Sequence, residues 1–414
     1  MKTKLTFLIL SFLSWQTATQ AAGFDCSLTN LNETEKTICG NSYLSGLDNI
    51  TNKFFVNALQ NTLSRGTLQR SQNQWLKERN ACAANVACIK ETYLQRNAAL
   101  SSIKAFHALS DVFPNNFIDT PFDHEIENKN GFTIRDNPWL VKELFNKSST
   151  EDSLNLAEGD WRLLTHLVIN NDLAIIFTVE RQGITYLVLI SDVPTQSYVI
   201  ASHDTTALSA PNIELTGHDD TSFSYQITYS YNPTQQTYFR EYFRVKIDSK
   251  ALSSPQKIAP PSDNDKEKSW TGYCGEHSCY SELVSPDGQW RLASGEGFIG
   301  DQYDGVYYFP YDRPDLGVNV FTSVPQNKED GWNYSRNYTW GHKNSFFFDN
   351  DGGLACIWKT DIDQKTTERI LPVEGLKYPY YIRYNNEDYI VTNYISNSDD
   401  DNNLAGFYIT KANQ

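Results

Sequence analysis

From Phe24 to Leu100 apolar residues return every three or four positions, and beyond Gly159 they come in short blocks bounded by turn residues. A helical part is therefore expected to precede a strand part. Asn32 followed by Glu35 is a capping-box pattern, which opens a short helix ending near Gly40. Leu44, Leu47, Phe54 and Ala58 predict a second helix. Leu68, Trp75, Leu76 and Arg79 mark a third, and Val86, Ile89, Tyr93, Leu100 and Ile103 a fourth. The second and fourth are expected to face a common core, with Trp75 and Tyr93 filling it.

After Asp111 the pattern changes. Pro114, Pro121 and Pro138 punctuate a polar stretch that reads as a linker over 111–138. Strand signals then arrive in five groups, beginning near Arg162, Asn212, Ser285, Tyr338 and Tyr380. The first contains four runs separated by Asn170-Asn171, Gln182-Gly183 and further polar residues. Groups of short strands at such spacing predict a β-propeller over 139–414, each group forming one blade; a β-sandwich is the alternative. The stretch from Gly131 to Phe145 is expected to supply a closing strand. The segment Ser285-Pro286-Asp287-Gly288-Gln289-Trp290 resembles the strand-and-turn motif of propeller repeats of the kind seen in TolB. The fold class is thus multidomain: a small all-α module followed by an all-β domain.

The start of the chain adds a location. Lys2 and Lys4 precede an apolar run from Leu5 to Trp15, and Thr19-Gln20-Ala21 follows. This reads as a secretory signal peptide over 1–21 with cleavage after Ala21, leaving a helical domain over 22–110. Residues after the signal offer no apolar run long enough for a membrane span. A periplasmic or secreted protein is expected, in which cysteines pair. Cys26 and Cys39 flank one short helix, and Cys82 and Cys88 are close together at a helix-to-helix turn, so local pairing is the preferred connectivity. Crossed pairing between the two couples is the other arrangement open to them. Cys274 and Cys279 are expected to close a loop, and Cys356 is left over.

Fifteen of these residues fall in a family order. Cys26, Glu35, Ile38, Cys39, Leu44, Leu47, Asp48, Trp75, Leu76, Arg79, Cys82, Cys88, Tyr93, Arg96 and Leu100 together resemble the N-terminal domain of the LprI family of bacterial lysozyme inhibitors. The resemblance covers residues 24–100 and departs at Asn97, where an aliphatic residue is usual. It implies a cysteine-stapled helical module and, as activity, inhibition of lysozyme.

Charge sharpens that implication. The formal net charge is −15, yet residues 24–110 carry nine Lys and Arg against six Asp and Glu, giving +3, while residues 111–414 carry 24 against 44, giving −20. A field of that sign repels nucleic acid and attracts cationic proteins. The 24 tyrosines and single methionine lean the chain toward strand.

Candidate chemistry is sparse. Cys274, Glu276, His277 and Cys279 could ligate a metal, but in an oxidising compartment the two thiols read as a disulfide. Asp349-Asn350-Asp351-Gly352-Gly353 resembles the opening of a calcium loop, yet Thr360 stands where the bidentate glutamate belongs, so a hairpin turn is the better reading. Asp399, Asp400 and Asp401 read as a solvated loop. No nucleophile elbow, zinc-protease helix, phosphate loop or dinucleotide fingerprint occurs. Trp332, Tyr334, Tyr338 and Trp340 form an aromatic concentration expected to alternate between sheet packing and solvent, with stacking on sugar rings as the second reading.

The expectation is a non-enzymatic binding protein without cofactor, which restrains a cationic lysozyme or another cell-wall hydrolase. Peptidoglycan itself is the second candidate partner, with the protein acting as a glycan-binding or envelope scaffold protein. An immunity protein against a cell-wall-targeting toxin is a third reading.

Overall fold

The computed structural model describes residues 23–103, 106–108, 133–135, 156, 159–191, 197–206, 212–232, 234, 237–247, 252–260, 273–274, 277–278, 281–295, 305–320, 334–350, 356–371, 373–395 and 405–411. The chain separates into two compact units. One comprises residues 1–60 and 68–103, and the other residues 61–67 and 104–414.

The first unit is helical: α1 (Glu33–Gly40), α2 (Ser42–Gln60), α3 (Arg65–Ala81, of which Arg65–Thr67 count with the second unit) and α4 (Val86–Ser101). The capping box is present as the sequence suggested. Asn32 Oδ1 accepts from the Glu35 N–H at 2.9 Å, and the Glu35 carboxylate accepts from the Asn32 N–H at 2.9 Å. At α4 Asn85 performs the same service for the Cys88 N–H. The expected common core is two clusters. Ile38, Leu44, Leu47, Trp75, Cys82, Ile89 and Tyr93 form one, and Ala58, Leu68 and Leu100 with Phe55, Leu59 and Ile103 form the other. Phe54 and Val86, read as core positions, are exposed. On α2 the buried residues are Leu44, Ser45, Leu47, Asp48, Thr51 and Ala58, and Phe54, three residues from Thr51 and four from Ala58, lies at the edge of that face, where solvent reaches it.

The second unit is a succession of antiparallel sheets. The first holds β3 (Asp160–Ile169), β4 (Asp172–Arg181), β5 (Ile184–Ile190) and β6 (Tyr198–Asp204); the second β7 (Asn212–Asp219), β8 (Ser222–Asn232), β9 (Thr237–Lys246) and β10 (Gln256–Ile258). A small hairpin, β11 (Tyr273–Cys274) with β12 (His277–Ser278), precedes the third sheet of β13 (Ser281–Val284), β14 (Trp290–Gly295), β15 (Gly305–Pro310) and β16 (Val318–Asn319). The fourth sheet is β17 (Tyr334–Trp340), β18 (Ser345–Asn350), β19 (Cys356–Asp361) and β20 (Thr366–Leu371). The last joins β21 (Leu376–Tyr384), β22 (Glu387–Tyr394) and β23 (Gly406–Lys411) to the early strands β2 (Thr133–Arg135) and β1 (Phe106–Ala108), in the order β1-β2-β23-β22-β21. Thr133 pairs with Lys411, so the expected closing strand from the Gly131–Phe145 stretch does join the last strand. The described strands therefore do not form the two facing sheets of a sandwich.

Period-two alternation explains how the sheets stack. On β4, Leu173, Ile175, Phe177 and Val179 enter a cluster shared with Ile382, Tyr389, Val391, Phe407 and Ile409 of the last sheet. Ala174 and Ile176 of the same strand enter another with Phe223, Tyr225, Ile227 and Val245 of the second sheet. On β19, Ile357 faces the last sheet and Trp358 the third. The last sheet thus packs against both the first and the fourth. Two hairpins turn on asparagine pairs, Asn170-Asn171 and Asn385-Asn386, all four at positive φ, which the twist of tight hairpins favours.

The segment Asn61–Thr67 belongs to this β unit. Leu63 is buried in the first cluster and its C=O accepts from the Leu173 N–H at 2.8 Å; the Gly66 N–H reaches the Asn171 C=O at 2.9 Å. The Asp172 carboxylate accepts from the Thr67 N–H at 2.8 Å and from its hydroxyl at 2.7 Å, and Arg65 pairs with Glu387. No helix among the described residues is long and apolar enough to cross a membrane.

Candidate functional site

In the helical unit, residues from four separate stretches meet around one buried arginine. Arg79 on α3 and Asp48 on α2 are both buried. Arg79 Nη1 stands 3.4 Å from Asp48 Oδ1 and 3.2 Å from the Tyr93 hydroxyl, and that hydroxyl donates to Asp48 Oδ1 at 2.5 Å. The other Asp48 oxygen accepts from the Gly23 N–H at 2.6 Å. Glu35 Oε1 lies 3.7 Å from Arg79 Nη2, and Asn80 Oδ1 accepts from Nε and Nη2. The guanidinium also lies over Trp75 at 5.6 Å and Phe24 at 5.9 Å from the ring centroids. Burial pushes the Tyr93 hydroxyl well above its ordinary range, so it remains a proton donor to Asp48 at physiological pH. A buried charge is tolerable only when fully paired, and this one is.

Five of the motif residues support that network by packing, and a sixth, Leu100, packs elsewhere in the unit. Trp75 meets Tyr93 edge to face at 5.3 Å and donates its indole N–H to the Thr92 C=O at 3.1 Å. Ile38, Leu44 and Leu47 close the same cluster, with Leu76 packed against it, and Leu100 sits in the second cluster. Arg96 stands apart: its Nε donates to Gln72 Oε1 at 2.8 Å and its Nη1 to the Ser71 hydroxyl at 2.9 Å. Disulfides join Cys26 to Cys39 and Cys82 to Cys88, the local pairing, so one bridge spans α1 and the other the turn into α4.

Between α2 and α3 lies a cavity of about 610 Å³, lined from α2 by Asp48, Thr51, Asn52 and Phe55 and from α3 by Gln69, Gln72, Asn73 and Leu76. Phe24, Glu35, Trp75 and Arg79 line it as well. The network thus forms part of a cavity wall. Its amide side chains were missed in the sequence, because polar residues at exposed positions 69 and 73 and half-buried 72 have the pattern of an ordinary solvated helix face. A second surface lies along α2 and α4, where Tyr43, Ile50, Phe54, Val86 and Leu94 are all exposed. Lys90 Nζ stands 5.5 Å over the Tyr43 ring and links the two rows.

In the β unit the aromatic candidates separate. Trp340 is buried in the cluster of Leu292, Tyr308, Phe346, Phe348 and Trp358 and offers no open ring face to a sugar, and Tyr338, half-buried, packs against the same cluster. These positions pack because β17 turns them toward the third and fourth sheets. Tyr334 begins β17, and Trp332 lies outside the described residues. Cys274 ends β11, whereas Cys279 lies outside the described residues. Asp349 is buried, its Oδ2 accepting from the Tyr378 N–H at 2.7 Å and the Asn337 side chain at 3.1 Å. Asn350 pairs with Cys356 in an antiparallel ladder, and Asp351, Gly352 and Gly353 lie outside the described residues. Among the described residues no group of three or more His, Cys, Asp or Glu side chains could hold a metal ion.

No family model matches the chain, and no curated protein matches it. Solved structures do show likeness. BT0996, solved in an RGII complex, is 11% identical over 61% of this chain and 87% of its own, with a TM-score of 0.31. TolB from Acinetobacter baumannii is 11% identical over 61% of this chain and 55% of its own, with a TM-score of 0.20. The Dos1 propeller is 10% identical over 60% and 68%, with a TM-score of 0.26. Propellers are thus among the structural neighbours, while the identities and TM-scores leave the function to be argued from this chain's own residues.

Proposed function

We propose that this chain is an exported binding protein that restrains a cationic peptidoglycan-degrading enzyme of the lysozyme type. The observation that carries the reading is the exposed apolar face of α2 and α4, on which Tyr43 and Phe54 stand as aromatic anchors of the kind that dominate protein interfaces. It belongs to a module whose residues resemble those of LprI-type inhibitors, held rigid by two disulfides and the Arg79 network. The β unit is read as a propeller of TolB-like repeats in which the four four-stranded sheets and the five-stranded last sheet each form one of five blades, with β2 closing the ring beside β23. Its −20 charge would draw in a cationic enzyme over a screening length of ~8–10 Å.

Turbidity assays of cell-wall lysis test this with the full-length protein. Lysis by a cationic lysozyme should slow in proportion to added protein. Tyr43→Ala/Phe54→Ala should weaken inhibition by about 30-fold or more, the consequence of losing ~2 kcal/mol or more at anchor positions. Raising salt should slow association more than it speeds dissociation. Unhindered lysis by every lysozyme tried would dismiss the reading.

A further inference from the structure

The cavity between α2 and α3 has a composition that packing does not require. The α2 wall presents residues 48, 51, 52 and 55, and the α3 wall residues 69, 72, 73 and 76, the same 3-1-3 spacing on both helices. Each wall has a polar middle and an apolar end, Phe55 on one side and Leu76 on the other. Four carboxamides, Asn52, Gln69, Gln72 and Asn73, line the space, and each such group offers donors and an acceptor. The Arg96–Gln72 bond at 2.8 Å holds one of them from behind. Thr51 is already committed, its hydroxyl bonded to the Leu47 C=O and to Asn97 Oδ1.

The charges in this cavity are spent on one another. Asp48 receives Arg79, the Tyr93 hydroxyl and the Gly23 N–H, and Glu35 receives the Asn32 N–H and approaches Arg79. An anionic ligand would meet two carboxylates, and an ammonium would meet a guanidinium already seated over the Phe24 and Trp75 rings. An uncharged ligand rich in paired donors and acceptors, with an apolar face for the rings, fits the remaining surface. A volume of about 610 Å³ is that of a ligand site.

We propose that this groove binds an uncharged pyranose oligosaccharide carrying N-acetyl groups. Hydroxyls exchange hydrogen bonds with the carboxamides, an acetamido group pairs its N–H and C=O with one of them, and its methyl lies against Leu76 or Phe55. The proposal goes beyond the inhibitor reading and does not rest on it, since the groove uses a different face of α2 from Tyr43, Ile50 and Phe54.

Saturation-transfer NMR and calorimetry on the full-length protein test it, with tri-N-acetylchitotriose as probe and cellotriose as its unacetylated counterpart. Saturable binding of chitotriose is expected, with cellotriose at least tenfold weaker. Asn52→Ala/Asn73→Ala changes two exposed side chains, so it should leave the circular dichroism spectrum unchanged and weaken chitotriose at least tenfold. Tyr43→Ala/Phe54→Ala should bind it as the parent does. Absence of saturation, or a double variant at residues 52 and 73 that binds unchanged, overturns the site. Equal binding of cellotriose overturns the acetamido assignment.

Discussion

The two units solve the problem of holding a core together by opposite means. The helical unit buries few large apolar side chains, places Arg79, Asp48 and Arg96 among them, and closes itself with two disulfides. The β unit stacks sheet on sheet, and one of its described clusters alone gathers 16 buried residues, among them Trp161, Phe177, Tyr389 and Phe407. A small domain buries too small a fraction of its surface to be secure on hydrophobic contact alone, so covalent staples take over that role. The larger unit has no such need among its described residues, and its aromatic pairs, such as Phe177–Phe407 at 5.0 Å, lock neighbouring sheets.

The contrast can be broken most forcefully by reducing the bridges. With both open, the helical far-ultraviolet signal should melt at lower temperature, each bridge accounting for ~2–4 kcal/mol, while the near-ultraviolet signal of the β unit stays in place. An unchanged helical melt would mean that the module does not depend on its staples. Next in size come two single substitutions, one per unit. Arg79→Met leaves Asp48 buried without its cation and should cost ~3–5 kcal/mol in chemical denaturation, whereas the double change Asp48→Asn/Arg79→Met should recover much of the loss. Phe177→Ala should cost ~3–5 kcal/mol through the cavity it leaves, in the β transition only.

Smaller effects sharpen the picture inside the β unit. The Ser285–Trp290 turn places Gly288 at φ +73°, with the Ser285 hydroxyl accepting from the Trp290 N–H at 2.9 Å. Gly288→Ala should cost ~1 kcal/mol, because a side chain there meets left-handed strain although the space around it is open. His166 provides the pH dependence. Its Nδ1 lies 3.0 Å from the Tyr380 hydroxyl and its ring 6.0 Å from that of His218; burial, with His218 second, lowers its pKa to about 4. The unfolded chain, with a histidine near 6.5, therefore binds the proton first as pH falls, and this contribution to stability is lost between about pH 6.5 and 4. His166→Gln should flatten the β unit's melting temperature across that window, relative to the parent.

Much of this architecture was legible without coordinates, and the failures have a common form. Asn32 with Glu35, the turn pairs at 170–171 and 182–183, and the local cysteine couples all depend on neighbours a few residues apart, which is why they read correctly. Phe54 and Val86 read as core because periodicity alone does not say which side of an apolar helix meets a partner. At Trp340 the sequence favours packing yet leaves a sugar platform open, because strand aromatics look the same whether they pack or face solvent, and the structure buries it. The short strand Ser281–Val284 went unread, being only four residues with little alternation. Nothing in Asn61–Thr67 signalled that this segment counts with the β unit, since its partners Asn171, Asp172 and Glu387 lie about 105 to 322 positions away.

By itself, then, the sequence determined the helices, most of the strands, the staples and the charge contrast, because each arises from local periodicity, short-range covalent reach or simple counting. Tertiary structure decided that Glu35, Asp48, Arg79 and Tyr93 share one network, that a carboxamide-lined groove opens beside it, and that the last sheet packs on both the first and the fourth. Those depend on side chains brought together from distant positions, and local patterning places a residue on a face without saying what that face will meet.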